Sequence, residues 1–208
     1  MSDGPSSSGS PLGLTALREA MLVRRLQQRE ERAFHEVVRL YQHKVYNLVF
    51  RMIGNREEAE DIAQEVFVTV FKSIEGFRGE SKLGTWLYRI ATNHCKNRMK
   101  YLGRRSYKAT GGLDEAAERE IQDAQPTSLT PHVDGPEKVL EGRQVERLVQ
   151  RAIADLDEEH RALIVLRDVE DLSYQEICTI TGLAEGTVKS RLHRARMAIK
   201  DHLAKHGA

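Results

Sequence analysis

Apolar residues recur at intervals of three and four along two long stretches of this 208-residue chain. In the first stretch Phe34, Val37, Tyr41, Val45 and Leu48 follow this spacing, which places them on one face of an α-helix. Neither stretch alternates apolar and polar residues as a half-buried strand does. The spacing therefore predicts an all-α fold.

Local signals place the helix ends in the first stretch. A helix from about Glu30 is predicted to stop at Gly54, and Asn55 followed by Glu58 fits an N-cap with a capping-box partner for the next helix. A third helix is predicted from about Thr85 to Tyr101. Three such helices form a compact bundle.

Composition divides the chain into four parts. Residues 1–16 are rich in Ser, Gly and Pro and are predicted to form a disordered tail. Residues 17–105 and 138–208 are predicted to form two small helical domains. Residues 106–137 contain several prolines and glycines and have seven acidic against two basic residues, which predicts a flexible acidic linker.

The C-terminal domain contains a sequence pattern typical of a helix-turn-helix motif. A short helix with Ile177 and Ile180 ends at Gly182, and a second helix with Val188 and Leu192 on its inner face follows. Polar and basic side chains are predicted on the outer face of the second helix, where a recognition helix contacts bases and phosphates. These are Thr187, Lys189, Ser190, Arg191, His193, Arg194 and Arg196.

The net formal charge of +1 conceals two segments of opposite charge. Residues 78–108 contain nine basic residues and one acidic residue, interleaved with aromatic residues, as in proteins that bind single-stranded nucleic acids. Residues 56–65 contain five acidic residues and one basic residue. An acidic helix face repels DNA, so it fits a basic protein partner, although a solvated face explains the spacing nearly as well.

The sequence provides no catalytic, metal or cofactor signature, so we expect no enzymatic activity and neither a metal nor a cofactor. Cys95 and Cys178 are far apart in the sequence and are expected to be reduced thiols of a cytoplasmic protein. No apolar stretch is long enough to predict a membrane span or direct membrane insertion.

Two segments together resemble bacterial sigma factors of the extracytoplasmic-function type. They are NREEAEDIAQEVFVTVFKSIEGFRGESKLGTWLYRIATNHCKN and LSYQEICTITGLAEGTVKSRLHRAR. The resemblance covers roughly residues 30–104 and 138–203 and implies a transcription initiation factor that directs core RNA polymerase to promoters and promotes DNA melting. It also implies two protein partners in the polymerase, the beta-prime clamp and the beta subunit, and promoter DNA, duplex and melted, as the ligand. The resemblance further implies an anti-sigma factor that can hold the protein at the membrane. The active protein is then expected at the nucleoid.

The resemblance also assigns residues. Asp61, Gln64 and Glu65 match the segment that contacts the beta-prime clamp. The outer face of the second helix in the helix-turn-helix matches the sigma-factor surface that recognises the minus-thirty-five element. The acidic linker matches the segment that runs toward the polymerase active-site channel. A further set matches the part that captures an unstacked base in the minus-ten element: Phe77, Arg78, Lys82, Trp86, Asn93, Lys96 and Asn97.

Two alternatives remain at this point. A helix-turn-helix regulator acting without stable polymerase association would use only the C-terminal domain, but it would not need the segment FRGESKLGTWLYRIATN. A small all-α enzyme is disfavoured, because no acid, base or metal ligands converge. Trp86, taken alone, is more typical of a core anchor than of a stacking platform.

Overall fold

The computed structural model describes residues 16–109, 145 and 147–206. Within these residues it contains helices and no strand, which confirms the all-α prediction. No described helix combines the length and apolarity that crossing a membrane requires. The helices are α1 (Ala16–Gln27), α2 (Glu31–Ile53), α3 (Arg56–Ser73), α4 (Leu83–Ala109), α5 (147–154), α6 (Glu158–Ile164), α7 (Tyr174–Thr181) and α8 (Glu185–His206). A 3₁₀ turn, Ile74–Gly76, follows α3, and a π-helical turn, Val165–Val169, follows α6.

The predicted boundary between α2 and α3 is confirmed. Gly54 has the left-handed φ of 81°, and its N–H donates to the carbonyl of Phe50 at 2.8 Å. The side chain of Asn55 accepts from the N–H of Glu58 at 2.8 Å and caps α3. The Glu58 carboxylate, expected in a capping box, binds Arg98 of α4 through both of its oxygens.

Helix α4 is longer than the predicted helix from Thr85 to Tyr101. It begins at Leu83 and continues to Ala109, so the first residues assigned to the linker are helical. The polar second half of α4 contains no proline, and the first pair of helix-breaking residues is Gly111–Gly112. The rest of the predicted linker up to 137, and the tail before Ala16, lie outside the described residues.

The C-terminal helices bury the expected apolar stripe, with two exceptions. Ile153, Leu163 and Leu192 are buried, whereas Val145 is 61% and Val169 37% exposed. Val169 ends the π-helical turn, whose wider winding breaks the 3.6-residue period and turns this side chain outward. Val145 lies ahead of the first buried residue of α5 and extends beyond the core.

The two helical units pack against each other. Helices α6 and α7 contact α4, and α6 also contacts α2, so the buried apolar residues of both units form one continuous cluster. At this contact the Tyr88 hydroxyl donates to Glu170 at 2.5 Å, and Arg161 donates to the Met52 carbonyl at 2.8 Å. Burial raises the pKa of Glu170, against the opposing influence of the hydrogen bond from Tyr88. The predicted domains therefore share a core across the described residues.

Candidate protein- and nucleic-acid-binding surfaces

An acidic surface lies on the outer face of α3. Asp61, Gln64 and Glu65 are exposed and share this face, because they are three and four residues apart on a helix. They line a shallow cleft of 460 Å³, together with Val68, Thr69 and His94. The structure thus brings together the three residues predicted to contact a protein partner.

Neighbouring acidic residues are partly neutralised within the chain. Glu58 binds Arg98, and Glu60 pairs with Arg56 of its own helix at 3.3 Å. Asp61 makes no ion pair with any residue of the described ranges, so its carboxylate is available to an external cation. Among the described residues 56–65, the acidic side chains without an ion pair are therefore Glu57 and Asp61, which lie four residues apart on the same face of α3.

His94 and Val68 belong to this surface, although neither was predicted from the sequence. The Nδ1 atom of His94 lies 3.3 Å from the Glu65 carboxylate, and its Nε2 lies 3.0 Å from the Thr69 hydroxyl. His94 thereby connects α4 to α3 beneath the cleft. Val68 is 50% exposed, so it adds apolar area beside the carboxylates.

The α3–α4 loop, residues 77–82, contains predicted minus-ten residues in different environments. Phe77 is buried, with its ring centroid 5.1 Å from that of the half-buried Trp86. The ring of Phe77 therefore fills the core beneath the loop, and contact of this residue with DNA stays a prediction. Arg78 is exposed, and Lys82 binds Glu176 of α7 at 3.1 Å.

A polar ridge follows the loop along α4. Asn93 and Asn97, one helical turn apart, are exposed, and Lys96 between them is half-buried. Arg89 precedes this ridge at the same spacing and is also exposed. The ridge provides amide groups, which can hydrogen-bond to base edges, beside cations, which can bind phosphates.

The helix-turn-helix is formed by α7, the turn at Gly182 and α8. Gly182 has a φ of 72°, and its N–H donates to the Cys178 carbonyl at 2.8 Å, which ends α7. Val188, Leu192 and Ala195 are buried beneath α8, as their spacing predicts. The predicted motif is therefore present in the structure.

The start of α7 has a cap that was not predicted from the sequence. Ser173 and Glu176 form a complete capping box, which the Ser-x-x-Glu spacing would have indicated. Burial opposes ionisation of Glu176, but hydrogen bonds from Ser173 and Lys82 outweigh it and lower the pKa of this carboxyl. One carboxylate thus caps α7 and contacts the α3–α4 loop.

The outer face of α8 presents five of its predicted residues to solvent: Lys189, Ser190, His193, Arg194 and Arg196. Lys189 pairs with Glu185 at 2.6 Å, and its ammonium lies 5.2 Å from the ring centroid of Tyr174. Thr187 is half-buried, and its carbonyl accepts from the Ser190 hydroxyl at 3.1 Å. A continuous polar strip therefore follows the N-terminal half of α8.

Two arginines predicted on this face have partners within the protein. Arg191 is half-buried and binds Glu159 of α6, and Arg196 binds Asp168 at 2.6 Å. The prediction that Arg191 points outward is wrong, since this side chain is held against α6, whereas Arg196 is exposed as predicted and pairs with Asp168 of the π-helical turn. Ion pairs between distant residues leave no signal in local spacing.

Comparisons with known proteins agree with this arrangement. Residues 37–105 match the family model for sigma-70 region 2, and residues 146–199 match that for sigma-70 region 4. The chain is 40% identical over 190 residues to the ECF RNA polymerase sigma-E factor of Haemophilus influenzae, covering 90% of this chain and 96% of that protein. It is 37% identical over 186 residues to the RNA polymerase sigma-H factor of Pseudomonas aeruginosa, covering 89% of this chain and 94% of that protein.

Solved structures share the fold. CnrH, solved with the cytosolic domain of CnrY, aligns with a TM-score of 0.62 and 18% identity over 90% of this chain and 98% of that one. The sigma factor RpoE from Bartonella quintana, solved with the anti-sigma factor NepR, aligns with a TM-score of 0.61 and 22% identity over 82% of this chain and 96% of that one. This chain matches both region 2 and region 4, and its relatives align over nearly their full length. The protein therefore belongs to the sigma-70 family, in its extracytoplasmic-function group.

Proposed function

We propose that this chain is a transcription initiation factor that binds core RNA polymerase, directs it to specific promoters and promotes DNA melting. The proposal rests on three surfaces that occur together in this sigma-70 family member: the acidic surface of α3, the polar ridge of α4 and the polar strip of α8. In this role it selects where the polymerase starts and has no catalytic chemistry of its own. We propose that it acts in the cytoplasm, where core polymerase and the nucleoid are found.

The acidic surface is proposed to bind the beta-prime clamp of the polymerase. Its unpaired Asp61 carboxylate and the neighbouring Glu65 favour a basic partner through charge complementarity. The half-exposed Val68 beside them provides apolar area of the kind found at the centre of protein interfaces. A helix-turn-helix regulator that works without the polymerase would have no use for this combination.

The α3–α4 loop and the polar ridge of α4 are proposed to bind the melted minus-ten element. Extruding a base costs a few kcal/mol, which contacts to the base and to its backbone must offset. Arg78 and Lys82 provide cations for the backbone, while Asn93 and Asn97 provide amides for base edges. The proposed role of Trp86 and Phe77 is to support the loop from below.

The outer face of α8 is proposed to recognise the minus-thirty-five element in the major groove. Lys189 and Ser190 lie near the start of the helix, where recognition helices usually contact base edges. His193 and Arg194 lie one turn further on and are placed to contact the same site or its phosphates. Arg191 is tied to Glu159 and joins this surface only if that pair opens.

The remaining partners and boundaries are proposed from the family. Residues 17–105 and 138–208 are taken as the two functional units, and the matched residues 37–105 and 146–199 fall within them. The acidic residues 106–137 are proposed to lie toward the polymerase active-site channel, between the beta and beta-prime subunits. An anti-sigma factor is the proposed regulator.

Run-off transcription tests the proposal. Purified core polymerase is incubated with a pool of genomic promoter fragments, with and without the full chain, and the transcripts are sequenced. The expected result is a set of discrete start sites that appear only with the chain and share two upstream motifs. Identical transcripts in both reactions, together with no binding of the chain to core polymerase, would overturn it.

A further inference from the structure

Helix α1 holds both ends of the α3–α4 loop. The side-chain amide of Gln27 donates to the carbonyl of Phe77 at 2.9 Å, where the loop begins. The backbone N–H of Leu83, where the loop ends and α4 begins, donates to the carboxylate of Glu19 at 2.6 Å. These hydrogen bonds join residues 50 and 64 positions apart, so they fix the loop relative to a separate helix.

The two α1 residues lie on one face of α1, which forms a ridge distinct from the polar ridge of α4. Glu19 and Gln27 are two helical turns apart, with Val23 between them at intervals of four. Glu19 also satisfies an amide at the N-terminus of α4, where a negative charge complements the helix dipole. Losing Glu19 therefore removes an anchor of the loop and a cap of the helix that bears the polar ridge.

A cleft of 660 Å³ lies between this ridge and the loop. Val23 and Arg24 of α1 line one side, and Arg78 and Ser81 of the loop line the other. Its volume is in the range of cavities that hold a small organic ligand. Its lining has three cations, Arg24, Arg78 and Lys82, against the carboxylates of Glu19 and Glu80, and this excess of positive charge suits a nucleotide. The width of the cleft depends on where α1 holds the loop.

We infer that Glu19 and Gln27 are positioning residues that set the conformation of the α3–α4 loop and thereby its discrimination among extruded bases. The inference rests on the proposed function, in which this loop binds the melted minus-ten strand. Both residues lie outside residues 37–105, which match sigma-70 region 2, so the family match assigns them no role. They act through the loop backbone and need not contact DNA.

Two isosteric substitutions and two truncations separate the hydrogen bonds from general packing. Gln27→Glu keeps the shape of the side chain but replaces the donor facing the Phe77 carbonyl with a carboxylate. Glu19→Ala removes the acceptor for Leu83, whereas Glu19→Gln retains an oxygen that accepts this hydrogen bond. Gln28→Ala is the matched control, since Gln28 is an exposed neighbour on the same turn.

Two measurements are made on each full-length variant. Amide hydrogen exchange in the free protein is expected to be about tenfold faster at Leu83 in Glu19→Ala and close to wild type in Glu19→Gln. Holoenzymes are then compared on one promoter carrying each of the four bases at the extruded position. Losing one anchor is expected to reduce the ratio of open-complex formation between the best and worst base roughly fivefold in Glu19→Ala and Gln27→Glu. Gln28→Ala and Glu19→Gln are expected to retain this ratio.

The outcomes distinguish the proposed function of the chain from the positioning role of Glu19 and Gln27. Wild-type holoenzyme that opens no promoter overturns the proposed function. Wild-type holoenzyme that discriminates among bases, with Glu19→Ala and Gln27→Glu discriminating equally well, overturns only the positioning role. Unchanged core-polymerase affinity in every variant, together with loss of discrimination in those two, supports it.

Discussion

Reversing the charge of Asp61 tests whether the acidic surface binds the polymerase. The substitution Asp61→Arg changes an exposed side chain that has no ion-pair partner in the described chain, so it breaks no internal contact. The neighbouring Glu60→Arg makes the same change of charge on the next residue, whose carboxylate already pairs with Arg56 at 3.3 Å. Asp61 lies about 40° around α3 from Glu65, whereas Glu60 lies about 140° from it, so Asp61 shares a face with Glu65 and Glu60 borders that face only at Gln64.

The expected magnitude follows from the exposure of Asp61. Two unit charges 4 Å apart interact by about 1 kcal/mol in water and about 4 kcal/mol at the effective dielectric of a protein surface. An exposed carboxylate that becomes partly desolvated on binding lies between these limits. Reversal both removes an attraction and adds a repulsion, so Asp61→Arg is expected to weaken core binding by about 2 to 4 kcal/mol, or roughly 30- to 700-fold. Asp61→Asn, which only removes the charge, is expected to cost about half of this free energy.

Binding is measured by fluorescence anisotropy of the labelled chain titrated with core polymerase at several salt concentrations. The deficit of Asp61→Arg is expected to shrink as salt rises, because the screening length falls from about 10 Å at 0.1 M to about 3 Å at 1 M. Thermal unfolding of each variant serves as a folding control. Equal affinities for Asp61→Arg and Glu60→Arg would refute the assignment of this face to the polymerase.

Three further predictions concern the other surfaces. Asn93→Ala is expected to leave core binding intact but to reduce permanganate reactivity of duplex promoters, with partial rescue on a pre-melted bubble; equal reactivity on duplex DNA would contradict this. Lys189→Ala is expected to relax the base preference at one minus-thirty-five position by about 1 to 3 kcal/mol. Arg194→Ala is expected to weaken binding to all DNA sequences and to lower the salt dependence of binding by about one phosphate contact. Promoter selection with each variant would detect an exchange of these roles. Burial raises the pKa of Glu170, so the contribution of this carboxyl to stability is present below the ordinary carboxyl pKa and is lost as pH rises through the raised value. Glu170→Gln, which can still accept from Tyr88, is therefore expected to flatten this decline when the free energy of unfolding is measured in urea between pH 4 and 8. Parallel pH profiles of wild type and variant would show that the carboxyl does not titrate in this range.

Features encoded by neighbouring residues were predicted correctly from the sequence. Gly54 and Gly182 end helices because only glycine adopts their left-handed φ without strain, and Asn55 caps the helix that follows it. The inner face of α8 followed from the spacing of Val188 and Leu192. These signals extend over one or two helical turns, which is the range over which periodicity and capping act.

Features encoded by distant residues were missed or predicted wrongly. Arg191 was expected to point outward because helical spacing allows it, but Glu159, 32 residues earlier, holds it against α6. The burial of the Phe77 ring was missed, because only the packing of Trp86 shows it. The hydrogen bond between Glu19 and Leu83 spans 64 residues, and no local pattern indicates it.

The single apolar cluster shared by both helical units has a consequence for a cleaved chain. A protease that cuts between residues 110 and 144 removes the covalent connection, but it leaves the contacts of α4 with α6 and α7 unchanged. The two fragments are therefore expected to elute together in size-exclusion chromatography and to separate only in denaturant. Fragments that part without denaturant would show that the tether, rather than the shared core, keeps the halves together.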